Sequence, residues 1–466
     1  MSDSDLVLAI DQGGQSTRAM VFDQRGAVVA TARAPVATVQ SGNEYIEHDP
    51  EQLLASTHEV IARVRTEIRN HGQQICAAGL ATQRSTIVCW GKYDGRALSP
   101  VISWQDRRAA DILQRDAPAD ETVRRITGLV RSPHYGASKL RWCLENIDAV
   151  ARARATGSLA MGPLASFLLF HLVEGHPFCA DPVNASRTLL WDVTELDWSD
   201  TMLTAFDVRR EDLPHCVSNF YEFGTLHGTA IPMTVCTGDQ SAAIYAGGAV
   251  ETGAAYINIG TGAFVLARVD DPPPTTPLLH SVVWSSGNRV TRVLEGTVNG
   301  AGSAVASLQA STADIALAAA SIGDKELPLF LNGVSGLGSP YWREDFPSQF
   351  IGGGDECARL TAVLESILFL LQINLAHLRD AVALRRIVVS GGLARNDSLC
   401  QGLADLSGLP VHRAQEAEAT ARGLAFLVAG QPVGWEQPEL HIFEPDDNEH
   451  LSQRFATWTR EMDAVL

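Results

Sequence analysis

Basic residues are in deficit: 36 Lys and Arg stand against 54 Asp and Glu, a formal charge of −18. A chain with that balance does not bind nucleic acid or an anionic membrane by bulk electrostatics. Glycine turns and helix N-termini can still take an anion through backbone N–H groups. No Cys-x-x-Cys pair occurs, and the eight cysteines lie scattered at 76, 89, 143, 179, 216, 236, 357 and 400. With no His/Cys spacing for zinc, they read as reduced core thiols of a cytoplasmic protein. The longest apolar runs, 164–173 and 315–322, are too short to cross a bilayer. The opening MSDSDLVLAI lacks the basic and apolar regions of a signal peptide. Missing as well are the G-x-x-x-x-G-K-[ST] spacing, a G-x-S-x-G elbow, low-complexity tracts and heptads.

What is present is glycine in turns. The 466 residues, 45% hydrophobic with 39 glycines, suit an α/β protein of two large domains or one lobe repeated. Leu6–Ile10 reads as a strand, Asp11–Thr17 as turn chemistry, and Arg18–Asp23 as a second strand, followed by a third over Ala27–Ala32. That is an antiparallel meander, unlike a dinucleotide-binding βαβ unit. The same grammar recurs at Tyr256–Ile259, Gly260-Thr261-Gly262 and Ala263–Ala267, which suggests a duplicated fold with a nucleotide held between the copies. Helices are expected over 50–70, 138–147 and 360–378, and a strand over 386–389 runs into Ser390-Gly391-Gly392.

A further glycine turn follows the apolar run Ile231–Cys236, at Thr237-Gly238-Asp239-Gln240. A run of small residues, 241–248, leaves it as a helix packed close to a neighbour. Asp239 reads either as that helix's N-cap or as a carboxylate aimed into a cleft as general base. In an α/β sheet such turns gather at the carboxyl edge, where ligands bind. Phosphoryl transfer needs a base for the attacking hydroxyl, Mg²⁺ on the phosphates and donors for the equatorial oxygens. Asp11 and Asp239 could face one cleft, with Asp11 on the metal through water and Arg18 neutralising charge. The alternatives are an Asx turn for Asp11 and a surface ion pair for Arg18. A second cluster, Thr82-Gln83-Arg84-Ser85 with Ser103-Trp104-Gln105-Asp106, suits a hydroxylated ligand, although a buried Trp is more often core.

These stretches resemble the FGGY carbohydrate kinases, and among them the glycerol kinase type. The resemblance runs through Ala9-Ile10-Asp11-Gln12-Gly13, Thr82-Gln83-Arg84, Trp104-Gln105-Asp106, Asn184-Ala185-Ser186-Arg187-Thr188 and Gly238-Asp239-Gln240. It continues in Gly260-Thr261-Gly262, Gly336-Leu337-Gly338-Ser339-Pro340, Ser390-Gly391-Gly392 through Asn396, and Glu418-Ala419-Thr420-Ala421. It implies two actin-like, RNase H-like α/β lobes, over 1–245 and 246–466, closing over ATP-Mg²⁺ and a polyol or sugar. It implies Asp239 as general base, with Asp11 and Asp239 at the metal. Gly13, Gly14, Gln15, Arg18, Gly260, Thr261, Gly391, Gly392 and Asn396 would hold nucleotide. Arg84, Trp104, Asp239, Gln240 and Phe264 match acceptor-binding positions. At two others the pattern changes: Ser85 stands for a glutamate and His134 for a tyrosine. Gly14-Gln15 replaces two threonines, and Ala306 a glutamine. A site deprived of two hydrogen-bonding groups discriminates differently, so the expected acceptor is a longer polyol or a ketose, with glycerol itself as the alternative. Actin-like ATPases and regulators without transfer are further alternatives. A cytoplasmic homo-oligomer, dimer or tetramer, completes the expectation.

Overall fold

Continuous runs of buried residues build the central strands of the first sheet. Strand Asp5–Gln12 is buried from its second residue onward, as a strand covered on both faces should be. It pairs antiparallel with Ser16–Phe22 and, on its other side, parallel with Gln74–Thr82. Gln74–Thr82 in turn pairs parallel with Pro232–Gly238. The computed structural model describes residues 5–42, 44–70, 73–324, 326–414, 418–436 and 439–466. The chain divides into two units. The first comprises Met1–Ala249, Ser281–Arg292 and Ala417–Gln437, and the second Val250–His280, Val293–Glu416 and Pro438–Leu466.

In the first unit the meander Asp5–Gln12, Ser16–Phe22, Val28–Pro35 continues through Gln74–Thr82 to Pro232–Gly238 and Phe220–Thr225. Helix Pro50–Asn70 covers it with Leu53, Val60, Val64 and Ile68. A smaller antiparallel sheet is built from Val39–Ser41, Tyr45–His48, Val101–Ile102, Ile87–Gly91 and Leu159–Pro163. Helix Ala419–Val428 also belongs to this unit and lies against the main sheet, with Val428 and Leu424 over Gly79. The expected close packing of the small residues after Asp239 is found here. A Cβ on Gly423 would stand 1.9 Å from the Ala242 carbonyl oxygen, so only glycine permits that approach. The helix itself is shorter than its composition suggested: it spans Asp239–Ala243, and turns carry the chain on to Gly248.

The second unit repeats the grammar. Ala254–Ile259 pairs antiparallel with Ala263–Val269 and parallel with Arg386–Ser390, which pairs parallel with Val411–Ala414. The 24-residue helix Glu356–Arg379 forms its core with Leu360, Ile367, Leu371 and Leu378. By length and composition it is the one helix among the described residues that could cross a membrane, but 78% of its apolar window is buried inside the protein.

Candidate active site

The parallel register of the first unit sets three strand ends side by side. Gln12 stands opposite Thr82, and Thr82 opposite Gly238. Asp11, Arg84 and Asp239 therefore emerge at one carboxyl edge, where α/β sheets bind ligands. Asp11 faces Arg18 across the hairpin, their charged atoms 3.7 Å apart. Burial, and next the charge of Asp239, push the Asp11 carboxyl up to about 7. Arg18 opposes that rise and Glu418 adds to it. The two carboxylates thus share one electrostatic environment.

Asp239 is not the helix cap. Gly238 occupies the cap position and makes no side-chain capping bond, while Asp239 Oδ1 accepts from the next residue's N–H, at 2.7 Å. Burial raises its carboxyl above the ordinary range, with Arg84 and Arg187 pulling the other way. Arg84 passes directly under Gly238, where an added Cβ would stand 2.5 Å from Arg84 Cγ, and it donates to Gln240 Oε1. Gln240 is thereby oriented by Arg84.

Ser85 follows in the left-handed backbone region at φ 61°, uncommon for a residue with a side chain. Its hydroxyl is buried with no hydrogen-bond partner among the described residues. Trp104 and His134 meet edge to face, ring centroids 5.3 Å apart, and Tyr135 packs edge to face on His134 at the same separation. Burial holds His134 well below its ordinary pKa, and Lys139, Arg187, Arg84 and Arg107 reinforce that. His134 is therefore a neutral imidazole, one donor and one acceptor.

Of the nucleotide-side residues in this unit, Gly13 closes the hairpin through its N–H on Ser16 O at 3.1 Å. Gly14 and Gln15 form the tip, with Gln15 exposed. Arg18 is committed more than its sequence position showed: Nη1 donates to Glu418 Oε2 at 2.5 Å. Glu418, Arg187 and Lys139 were not singled out from the sequence, although the first two lie within motifs it displayed. Arg187 is buried after the short helix Pro182–Ser186 and donates to Ser281 Oγ at 2.9 Å.

In the second unit the turn Gly260-Thr261-Gly262 offers its carbonyls to the start of helix Gly302–Ser307. Gly302 N–H donates to Gly260 O, and Ser303 N–H to Thr261 O, both at 2.9 Å. Ala306 lies on that helix. Gly391, at φ +98°, packs on this turn, and an added Cβ would stand 2.6 Å from Ile259 O. Gly392 has open space above it. Asn396 caps helix Asp397–Ser407 by accepting from Leu399 N–H at 2.9 Å. Phe264, half-buried, pairs with Asn258 in the hairpin ladder. So Gly260, Thr261, Gly391 and Gly392 come together at one sheet edge, and Asn396 follows them as a cap.

A strand-turn-strand sheet that occurs twice, with paired acidic groups in the first unit and glycine turns in the second, marks an α/β protein equipped to handle phosphate. The models of the FGGY family of carbohydrate kinases match its N-terminal domain at residues 6–246 and its C-terminal domain at 255–430. The protein belongs to the FGGY carbohydrate kinases. It is similar to a glycerol kinase of Natranaerobius thermophilus, 31% identical over 99% of this chain and 98% of that protein. Its fold matches the crystal structure of Plasmodium falciparum glycerol kinase with ADP at TM-score 0.91 and 23% identity, covering 99% and 98% of the two chains. It also matches the gluconate kinase of Lactobacillus acidophilus at 0.86 and 19%, covering 99% and 98%. The fold is thus the two-lobed, actin-like α/β fold of these kinases. The protein is an ATP-dependent phosphotransferase acting on a hydroxyl of a sugar or polyol, of the glycerol kinase-like type.

Proposed function

We propose that Asp239 is the general base and that the acceptor is a polyol or ketose longer than glycerol. The observation that carries the reading is the common edge of Asp11, Arg84 and Asp239, with Gln240, Trp104 and His134 supplying an amphipathic wall. In that arrangement the attacking hydroxyl gives its proton to an Asp239 carboxylate oxygen as its oxygen bonds to the γ-phosphorus of ATP, and ADP leaves. A carboxylate raised above its ordinary pKa by burial is a better proton acceptor than a solvated one. Arg84 and Gln240 would bind acceptor oxygens, and Trp104 its C–H face.

Asp11 and Asp239 would hold Mg²⁺, and their chemistry fits. Two buried carboxyls, the charge of one raising the proton affinity of the other, also favour a dication, which would supply charge neutralisation on the phosphates. In the second unit Gly260, Thr261, Gly391, Gly392 and Asn396 are proposed for the nucleotide, through backbone N–H groups and the glycines' close approach, and in the first unit the hairpin of Gly13, Gly14, Gln15 and Arg18 is proposed to bind phosphate. The acceptor would therefore lie with residues 1–245 and the nucleotide chiefly with 246–466. The eight free cysteines, four of them buried, support a reducing, cytoplasmic setting. A homo-oligomer goes with this reading on the family resemblance alone.

The longer acceptor rests on Ser85 and His134. Where the resemblance expects a carboxylate, a short hydroxyl sits buried and unpartnered, a donor and acceptor available to a further substrate hydroxyl. Where it expects a phenol, a neutral imidazole offers both hydrogen-bonding senses. ADP release measured over glycerol, erythritol, ribitol, D-xylulose and D-gluconate tests the assignment. A four- to six-carbon acceptor should give the highest kcat/KM; glycerol well above all of them would establish an ordinary glycerol kinase instead.

A further inference from the structure

Lys139 is fully buried on helix Gly136–Asn146 and takes no part in the chemistry above. Its ammonium is spent on two carbonyls, Ser103 O at 2.8 Å and His134 O at 2.9 Å. One carbonyl immediately precedes Trp104, and the other is His134's own. Both segments lie outside regular structure: Trp104 follows the two-residue strand Val101–Ile102, and His134 sits in a turn before the helix. Trp104 is held from its other side as well, its N–H donating to Thr86 Oγ1 at 3.1 Å. Thr86 in turn donates to Gln83 Oε1 at 3.2 Å.

Packing alone does not call for a lysine here. A buried ammonium carries a desolvation cost that an aliphatic side chain of similar volume avoids, so its presence points to what its N–H groups hold. Burial and the neighbouring Arg107 and Arg108 drive its pKa down to about 7, while Asp106 pulls it upward. Charged or neutral, the amine retains at least two N–H donors, enough for both carbonyls.

We propose that Lys139 is a positioning residue for acceptor specificity, fixing the Ser103–Trp104 and His134 backbones so that the two rings keep one spacing against the substrate carbons. The inference rests on the assignment of Trp104 and His134 to the acceptor site.

The test compares Lys139→Met and Lys139→Gln with Trp104→Ala and His134→Ala. The probe is the acceptor from the panel with the highest kcat/KM, and thermal unfolding is followed in parallel. Sub-ångström misplacement of a binding wall should raise the acceptor KM of Lys139→Met about tenfold, with ATP KM within about twofold of wild type. Lys139→Gln keeps two N–H donors on a neutral group and protects the fold, so it should show a smaller rise in acceptor KM, about threefold. Either variant, folded and with wild-type acceptor KM, overturns the proposal. So do equal rises in acceptor and ATP KM, which loosened packing would produce. If Trp104→Ala and His134→Ala leave acceptor KM unchanged, the site assignment has failed. If they raise it while the Lys139 variants do not, the positioning role alone has failed.

Discussion

The two hairpins share a design and differ in what they present. Asp5–Gln12 with Ser16–Phe22 and Ala254–Ile259 with Ala263–Val269 are both antiparallel pairs whose first strand also pairs parallel with a later strand. The first places charge at its edge: Asp11 opposite Arg18, with Glu418 on the same guanidinium. The second places almost none: Gly262 and Gly391 leave backbone close to backbone, and Gly392 leaves open space. The lesson is a division of labour within one duplicated topology. Charged side chains suit proton transfer and a metal, which need titratable groups. Bare backbone suits phosphate, which needs N–H donors at close range.

The sharpest way to break that comparison is at Asp239. Asp239→Asn keeps the shape and removes the basic oxygen, so kcat should fall by about 10³-fold or more while the unfolding midpoint stays close to wild type. Substantial residual turnover in a coupled ADP assay would remove Asp239 from the role of base. The glycine turns of the second unit should instead respond to a methyl group. Gly391→Ala forces a side chain into φ +98° and against Ile259 O. A loss of about 1–3 kcal/mol in urea unfolding is expected, with a raised KM for ATP. Gly14→Ala on the first hairpin brings its new methyl to Gln83 Oε1 at an ordinary 3.7 Å and should cost about 0.5 kcal/mol or less. Equal losses at the two glycines would erase the contrast.

A pH slope is expected as well in the first unit. Lys139 has a folded-state pKa of about 7, below the 10.5 of the unfolded chain. Between those values the unfolded state holds the extra proton, so this group makes stability rise with pH, by about 1.4 kcal/mol per pH unit at most. Below pH 7 both states are protonated and the contribution is flat, at its least favourable. The difference in unfolding free energy between wild type and Lys139→Met, measured from pH 6 to 10, should therefore grow in favour of wild type above pH 7. A flat difference would show that the amine titrates normally.

Local pattern was enough for the elements that frame the site. Apolar runs ending in glycine marked the strand ends at Asp11, Gly238, Gly260 and Gly391, because a strand that enters a tight turn must combine burial with backbone freedom. The same pattern overextended the helix after Asp239, since small residues favour close packing whether or not the chain stays helical. It also left the capping of that helix ambiguous, because a cap and a first-turn carboxylate share one residue type.

What the sequence determined by itself is the family, the two hairpins, and the identities of Asp11, Arg84, Trp104 and Asp239 as residues set at strand ends. Tertiary structure decided which distant groups complete them. Glu418 reaches Arg18 across 400 residues of chain, Lys139 ties the Trp104 and His134 segments together, and Gly423 lies against Ala242. The physical reason is that these partnerships come from parallel strand register and from burial, each fixed by the whole sheet and its covering helices. No local period or spacing encodes either one.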